Sequence, residues 1–379
     1  MTAPLDALER VIDQVVSPNA PGVDRDGVFP DAAMAALQAE GFLGLTLSAE
    51  LGGSGLGLAE AATVIERLAS ACGSTAMVTL MHYAAVAVVD AHGDEALRRS
   101  IASGDHLTTL AFSEQGSRSH FWAPIGTATA TAEDGAGVRL DASKSWVTAA
   151  AEADSYVWSS RPLAGDGPMT LWTVDPKATG ITVGTNFDGL GLRGNGSVPV
   201  RAEGVTVPAS AQLGADGAGL DIALATALPW FLVLSSAFSL GLMEATTAET
   251  GRHVNATRFE HLGEALVHQS VTRADYATMR LRTDAVRAFL ADTLAALGAG
   301  REDATLRVLE SKALAAETAL DVTDLAMKVC GGAAFRKELG IERRFRDARA
   351  ARVMAPTTDA LLDFIGRAIS GLPLLGPLA

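Results

Sequence analysis

The run from Ile222 to Met243, IALATALPWFLVLSSAFSLGLM, is twenty-two residues without a charge, long enough to span a bilayer. A chain carrying such a segment must either place it in a membrane or surround it with other elements. Thr226, Pro229, Ser235, Ser236 and Ser239 interrupt the run, no Lys or Arg flanks it closely, and no second run of this kind is available to pack with it. We therefore expect no membrane span, but a helix apolar on all sides and buried at the centre of a bundle.

The rest of the chain divides by period. Helical spacing predicts Leu5 to Val16, then Ala32 to Glu40 opened by Pro30-Asp31, then Leu58 to Ala71 and Thr75 to His92; the glycine-rich stretch at 52–57 is a loop. From about residue 107 the pattern shortens to runs rich in Thr, Val and Trp: Leu107 to Phe112, Gly126 to Ala132, Ser155 to Ser160, Met169 to Val174 and Ser197 to Val207. Glu133-Asp134-Gly135 and the stretch at 164–167 carry turn chemistry. Helical spacing returns after Gly217-Ala218-Gly219, with Leu306, Leu309, Ala313, Leu320 and Met327 on one apolar face and Arg280, Arg282, Asp284 and Arg287 among solvated positions. The expected fold is mainly α with a central β-domain, either sandwich or small open barrel. Its domains are 1–106 (helical), 107–216 (β) and 217–379 (an antiparallel four-helix bundle). The final SGLPLLGPLA is a Pro/Gly tail.

Charge excludes some partners. A formal net charge of −14 and a pI near 4.9 oppose nucleic acid and anionic membrane surfaces. Cys72 and Cys330 are too few and too far apart in sequence for a disulfide framework, and the usage suits a reducing cytosol. The start of the chain has acids at Asp6, Glu9 and Asp13 and no apolar h-region, so no signal peptide is expected. No Cys/His cluster supports a metal, and no Walker loop, Ser-His-Asp arrangement or GxGxxG after a strand supports a hydrolase, nucleoside triphosphatase or Rossmann reading.

Four ordered motifs point elsewhere. They are Ser113-Glu114-Gln115-Gly116 through Ser119, with Lys144-Ser145-Trp146-Val147-Thr148; Gly191-Leu192-Arg193-Gly194 before Val205-Thr206-Val207-Pro208; Arg258-Phe259-Glu260-His261-Leu262-Gly263 ending at Gln269; and Gly331-Gly332, Glu342-Arg343, Arg346-Asp347-Ala348 and Met354-Ala355-Pro356-Thr357 leading into Thr358-Asp359. In this order and at these separations they resemble the acyl-CoA dehydrogenase family over nearly the whole chain, and the resemblance implies a helix over 258–269.

The resemblance implies FAD as cofactor. The backbone of Phe112, Ser113 and Gly116 would meet the flavin's pyrimidine edge, where amide donors suit a ring that gains negative charge on reduction. Trp146 would stack on the ring and Thr148 bond near N5, although an aromatic on a strand is by default packing. Ser119 would touch the flavin phosphate or the pantetheine arm, and His120 stands where the family has an acid, in the substrate's path. Arg258 would reach a pyrophosphate on a neighbouring subunit, its alternative being a snorkelling surface cation. His261 stands where the family often has Phe, and Lys328 replaces a Gln, which would add charge near an anionic cofactor. Gly331 and Gly332 would approach the pyrophosphate or ribose, their alternative being a helix C-cap. Thr357 and Asp359 belong to the loop that meets the cofactor.

The family's catalytic carboxylate would stand at Ala355, or in some branches near Trp230-Phe231-Leu232, and neither place carries an acid. Asp359, one helical turn after Ala355, is the nearest acid, with Glu244 and His120 as further conceivable bases. Loss of a positioned base costs about 10² to 10⁴ in rate. Three functions follow. The first is α,β-dehydrogenation of an acyl thioester, on CoA or a carrier protein, passing electrons to an electron-transfer flavoprotein or oxygen. The second is a flavin monooxygenase of the same fold. The third is a silent subunit completing a partner's FAD site. The resemblance implies a homodimer or homotetramer, whereas the silent subunit would associate with a homologous subunit.

Overall fold

The computed structural model describes residues 2–117, 120–131, 137–185 and 187–375, so Ser119, the Glu133-Asp134-Gly135 turn and the end of the tail lie outside the described residues. By contacts the chain forms two units, residues 1–61, 77–188 and 193–231, and residues 62–76, 189–192 and 232–379.

The first unit opens on α1 (Thr2–Val11), which runs through a wider turn at Ile12–Val16 directly into α2 (Ser17–Asp26), so the helix begun at the N-terminus extends ten residues past the expected Val16. α3 (Asp31–Ala39) starts at the expected Pro30-Asp31. α4 (Leu58–Ala71) and α5 (Gly73–His92) follow, each partly in either unit, and then α6 (Glu95–Ala102), which the apolar spacing did not reveal. Its signal was the cap: the Asp94 carboxylate accepts from the Leu97 N–H at 2.8 Å.

Eight strands follow: β1 (Thr108–Ala111), β2 (Thr127–Ala130), β3 (Gly137–Val147), β4 (Ser155–Ser160), β5 (Thr170–Val174), β6 (Ile181–Val183), β7 (Val198–Pro208) and β8 (Gln212–Leu213). They form two four-stranded sheets, ordered β1-β4-β5-β8 and β2-β3-β7-β6, in which β1 and β4 pair parallel and the other neighbouring strands antiparallel. Along β7 the buried residues Val198, Val200 and Ala202 alternate with exposed ones, the period of a half-buried strand. One core serves both sheets: Val138, Leu140, Tyr156, Trp158, Trp172, Val174, Val200 and Val205 are all buried. The sandwich of the sequence reading is thus present; β3 was expected only around its Lys144 to Val147 end, and β6 and β8 are additions too short to show a period.

A buried imidazole ties the helices of this unit to β1. His82 Nε2 donates to the Leu43 carbonyl at 2.9 Å and Nδ1 accepts the Thr108 N–H at 3.1 Å, which requires the neutral ring. Burial pulls its pKa down from 6.5 to about 4. The unfolded chain therefore binds more protons between those values, and the stability of this contact is complete above pH 6.5 and is lost as pH falls toward 4. Urea unfolding should show about 2 kcal/mol lost between pH 6.5 and about pH 5, a loss that disappears in His82→Gln; an equal loss in both proteins would contradict this.

The second unit is a bundle. α7 (Gly219–Ala225), still in the first unit, leads into α8 (Ala227–Ala256), whose part from Leu232 onward joins α9 (Ser270–Ala299), α10 (Ala304–Cys330), α11 (Ile341–Val353) and α12 (Thr358–Ile369) in the second. Two stretches are long and apolar enough to cross a membrane, Gly73–His92 and Gly219–Ala256, but 78% and 72% of their apolar windows are buried inside the protein. From Leu232 to Met243 every residue of α8 is buried, and Ser236 donates to the Leu232 carbonyl at 2.8 Å and to Ser311 Oγ at 3.1 Å. At Gly241 a Cβ would lie 2.2 Å from the Glu66 carbonyl oxygen, so only glycine permits that approach.

Two expectations are corrected here. The segment from Arg258 to Gln269 is not a helix: β9 (Arg258–Phe259) and β10 (Glu264–Ala265) form a hairpin, turned at Gly263 with φ +68. On α10 the buried stripe runs through Val308, Lys312, Ala315, Ala319, Val322 and Ala326, while Leu306, Leu320 and Met327 are only half-buried. Arg280 and Arg287 do stand in solvated positions, their side chains 39% and 44% exposed, while both bind the Glu244 carboxylate and Arg287 also binds Glu66.

Candidate functional site

In the first unit, residues 113–117 are laid against β3. The Ser145 N–H donates to the Ser113 carbonyl at 2.9 Å and the Gln115 N–H to the Ser143 carbonyl at 3.1 Å. Between these bonds lies a buried ion pair, Lys144 Nζ to Glu114 Oε1 at 2.7 Å, with both side chains at most 2% exposed. Burial pulls the Lys144 ammonium down to about 8 against the opposing pull of Glu114. Such a pair is retained only when its remaining hydrogen-bonding capacity is met, and here it is. Lys144 Nζ also donates to the Ser159 carbonyl and hydroxyl at 2.7 and 2.9 Å, and Glu114 Oε2 accepts the N–H groups of Ile125 and Gly126.

Beyond Lys144 the register of β3 with β7 shifts before Val147, and of the two residues inside the shift, Ser145 and Trp146, the second stands at φ +57. A non-glycine residue there is strained by about 1–3 kcal/mol. The bulge turns the side chain out of the sandwich: the indole is 68% exposed, edge-on to Phe187 at 6.3 Å. Next to it Thr148 is buried, its hydroxyl 2.9 Å from Ser197 Oγ. Phe112 and Ser113 are half-buried and Gly116 is exposed at φ +94. The structure thus gathers Phe112, Ser113, Gly116, Trp146 and Thr148 around one seam. His120 is exposed, its Nδ1 2.9 Å from the Ser117 carbonyl and its ring 4.9 Å from Trp122.

The second unit holds the remaining candidates. Arg258 is exposed on β9, donating to the Gly263 carbonyl of its own hairpin at 3.2 Å, and His261 is exposed at the hairpin turn, its ring 6.0 Å from that of Phe259. Gly331 ends α10 at φ +54 and ψ −134, which is not the left-handed helical geometry of a glycine C-cap but a region that glycine enters without strain. Gly332 has no such need, and a Cβ there would meet nothing within 4 Å, so no contact of the described chain requires it to be small. Lys328 is engaged with Asp275 at 2.8 Å, so the extra charge expected near the cofactor is balanced on the bundle itself. Glu244, paired with Arg280 and Arg287, is held down to about 2 by its bond to Arg280, which removes it as a base near neutrality.

Between α11 and α12 lies the loop of Ala355. Thr357 caps α12, its hydroxyl accepting from the Ala360 N–H at 3.3 Å, and Asp359 is exposed in the first turn. Ala355 is half-buried. One residue absent from the sequence reading holds this loop: Lys312, 1% exposed, donates to the carbonyls of Met354 at 3.0 Å and Pro356 at 2.7 Å. Burial pulls its ammonium down to about 7. Its signal was available, a lysine three and four residues from Leu309 and Val308 on an otherwise apolar stripe. The Arg346-Asp347-Ala348 motif is structural here: the Asp347 carboxylate accepts from the Leu192 N–H at 2.7 Å, and Arg343 donates to the Ala71 carbonyl at 3.0 Å.

Comparison with known proteins agrees with this architecture along the chain. Residues 2–104, 109–217 and 217–370 match the N-terminal, middle and C-terminal domain models of acyl-CoA dehydrogenases. Cyclohex-1-ene-1-carbonyl-CoA dehydrogenase of Geobacter metallireducens is 26% identical over 98% of this chain and 97% of its own. Butyryl-CoA dehydrogenase from Megasphaera elsdenii superimposes with a TM-score of 0.90 at 21% identity, covering 97% of this chain and 98% of its own. A structure of PigA with FAD and proline does so at 0.87 and 22%, over 98% of each chain. Fold and matches together define a flavin-dependent oxidoreductase. The chain belongs to the acyl-CoA dehydrogenase family, whose cofactor is FAD.

The buried pair can be tested directly. Glu114→Gln leaves an ammonium buried without its counter-charge, a loss of about 3–5 kcal/mol, and should lower Tm and the fraction of flavin retained on gel filtration. Replacing both partners by Met should recover part of the Tm but not the flavin. Wild-type Tm and flavin content in Glu114→Gln would contradict the role given to the pair.

Proposed function

We propose that this protein catalyses the FAD-dependent α,β-dehydrogenation of an acyl thioester, with its α-proton acceptor away from position 355. The observation that carries the reading is Trp146, an exposed indole on a strained backbone that does nothing for the core and lies beside the 113–117 segment. These residues fit a flavin. Trp146 offers a face to an isoalloxazine, Phe112, Ser113 and Gly116 offer backbone to its polar edge, and Thr148 sits adjacent. Arg258, with Gly331 and Gly332, is assigned to the pyrophosphate of a neighbouring copy's FAD; the freedom of Gly332 from any packing demand in its own chain supports this. His261, Lys328 and Thr357 keep only peripheral places in that assignment.

FAD, when bound, supplies the acceptor for the β-hydride. The chain must supply the acceptor for the α-proton, and Ala355 presents only a methyl group there. Asp359 is the acid we assign, being exposed at the start of α12 one turn further on; His120, exposed and held by the Ser117 carbonyl, stays on the substrate side with Ser119. The substrate is an acyl-CoA or a carrier-tethered acyl thioester, and the acceptor an electron-transfer flavoprotein or oxygen. We further propose the domain organisation 1–106, 107–216 and 217–379, a cytosolic setting consistent with two free thiols, and a homodimer or homotetramer. Exposed Phe335, Val353 and Leu362 in the second unit support association.

Rapid-reaction reduction of the flavin by acyl-CoA tests the base. Asp359→Asn should slow it by about 10² to 10⁴ and Ala355→Glu should accelerate it by on the order of 10². Undiminished reduction in Asp359→Asn would remove Asp359, and no gain in Ala355→Glu would mean that position 355 does not face the reacting carbon.

A further inference from the structure

Lys312 is a costly way to fill a core position. An ammonium taken out of water pays a desolvation penalty that a methionine of similar length would not, and this one lies on the buried stripe of α10 among Val308, Ala315 and Ala319. The charge reaches two acceptors of one tripeptide, the carbonyls of Met354 and Pro356 on either side of Ala355. The segment is fastened again immediately downstream, where Thr357 caps α12 and Leu361 and Phe364 anchor that helix in the bundle. We propose that Lys312 is a positioning residue that holds the 354–357 loop in one conformation, and so determines where the side chain at position 355 and the first turn of α12 stand.

The physical basis is that two carbonyls sharing one buried donor group cannot move independently. Rotation of either peptide would strand an acceptor inside the bundle at about 1–3 kcal/mol. A loop so held presents residue 355 in a fixed direction, the condition under which a catalytic side chain there gains its rate. This consequence for catalysis rests on the reading under "Proposed function"; the fastening of the loop does not.

The test therefore has two arms, both on the full-length, FAD-loaded protein. The first is amide hydrogen exchange, followed for peptides covering 354–360 and for peptides of α9. In Lys312→Met, and more mildly in Lys312→Gln, which retains amide donors and guards against failure to fold, exchange over 354–360 should rise by about tenfold or more while α9 is unchanged. Leu290→Ala, a cavity variant in α9, should do the reverse. Wild-type exchange over 354–360 in both Lys312 variants would overturn the proposal. The second arm is the rate gained on Ala355→Glu, expected to be large beside Lys312 and beside Leu290→Ala, but less than about threefold beside Lys312→Met or Lys312→Gln, with the Kd for acyl-CoA unchanged. A full gain beside Lys312→Met would also overturn it. Flavin that no acyl-CoA reduces in any variant would sink the dehydrogenase reading, while the exchange arm would still decide the role of Lys312.

Discussion

The ion pair of Glu114 and Lys144 is the contact on which the first unit's functional surface depends. Thirty residues apart in sequence, the two groups meet at 2.7 Å where water is excluded. Neither charge is stable there alone, so each obliges the other's segment to stay. Four further bonds, from Lys144 to Ser159 and from Ile125 and Gly126 to Glu114, leave the pair little freedom. The consequence appears two residues on: because Lys144 is fixed inward, the register shift before Val147 is taken up at Trp146, which emerges on the surface in a left-handed conformation. Rigidity in the core is converted into an aromatic face held outward at a chosen place.

The second unit uses the same device with different acceptors. Lys312 is as deeply buried as Lys144, and it donates to two backbone carbonyls of one loop. A single residue then separates chemistry from scaffold. Everything that holds position 355 is in place, while the side chain there is a methyl group. The proposed displacement of the acid to Asp359 therefore asks for a change of side chain and not of loop.

Much of this was legible from residues alone, for physical reasons that differ by element. β4 was found to the residue because six small, β-branched and aromatic side chains in a row fit a strand buried on both faces. α8 was recognisable because an uncharged run broken by serines belongs inside protein, where Ser236 finds a carbonyl to bind. The helix given to 258–269 was wrong because motif similarity was allowed to outweigh Gly263, whose φ of +68 suits a turn and not a helix. Glu114 and Lys144 were both noted as motif residues, but their pairing is a tertiary fact without local period. Lys312 was missed because a lysine on a long helix is ordinarily solvated, and only its place among alanines and valines betrays it. α6 carried its evidence in a cap and not in its spacing.

The central claim is that the surface built around Trp146 holds a flavin that an acyl thioester reduces. An anaerobic absorbance titration of the purified protein with a panel of acyl-CoAs measures both parts at once. The account predicts a yellow protein whose flavin absorbance is bleached by at least one acyl-CoA, with flavin binding weakened in Trp146→Ala. A protein that carries no flavin, or one whose flavin every acyl-CoA leaves oxidised while chemical reductants bleach it, would contradict the account.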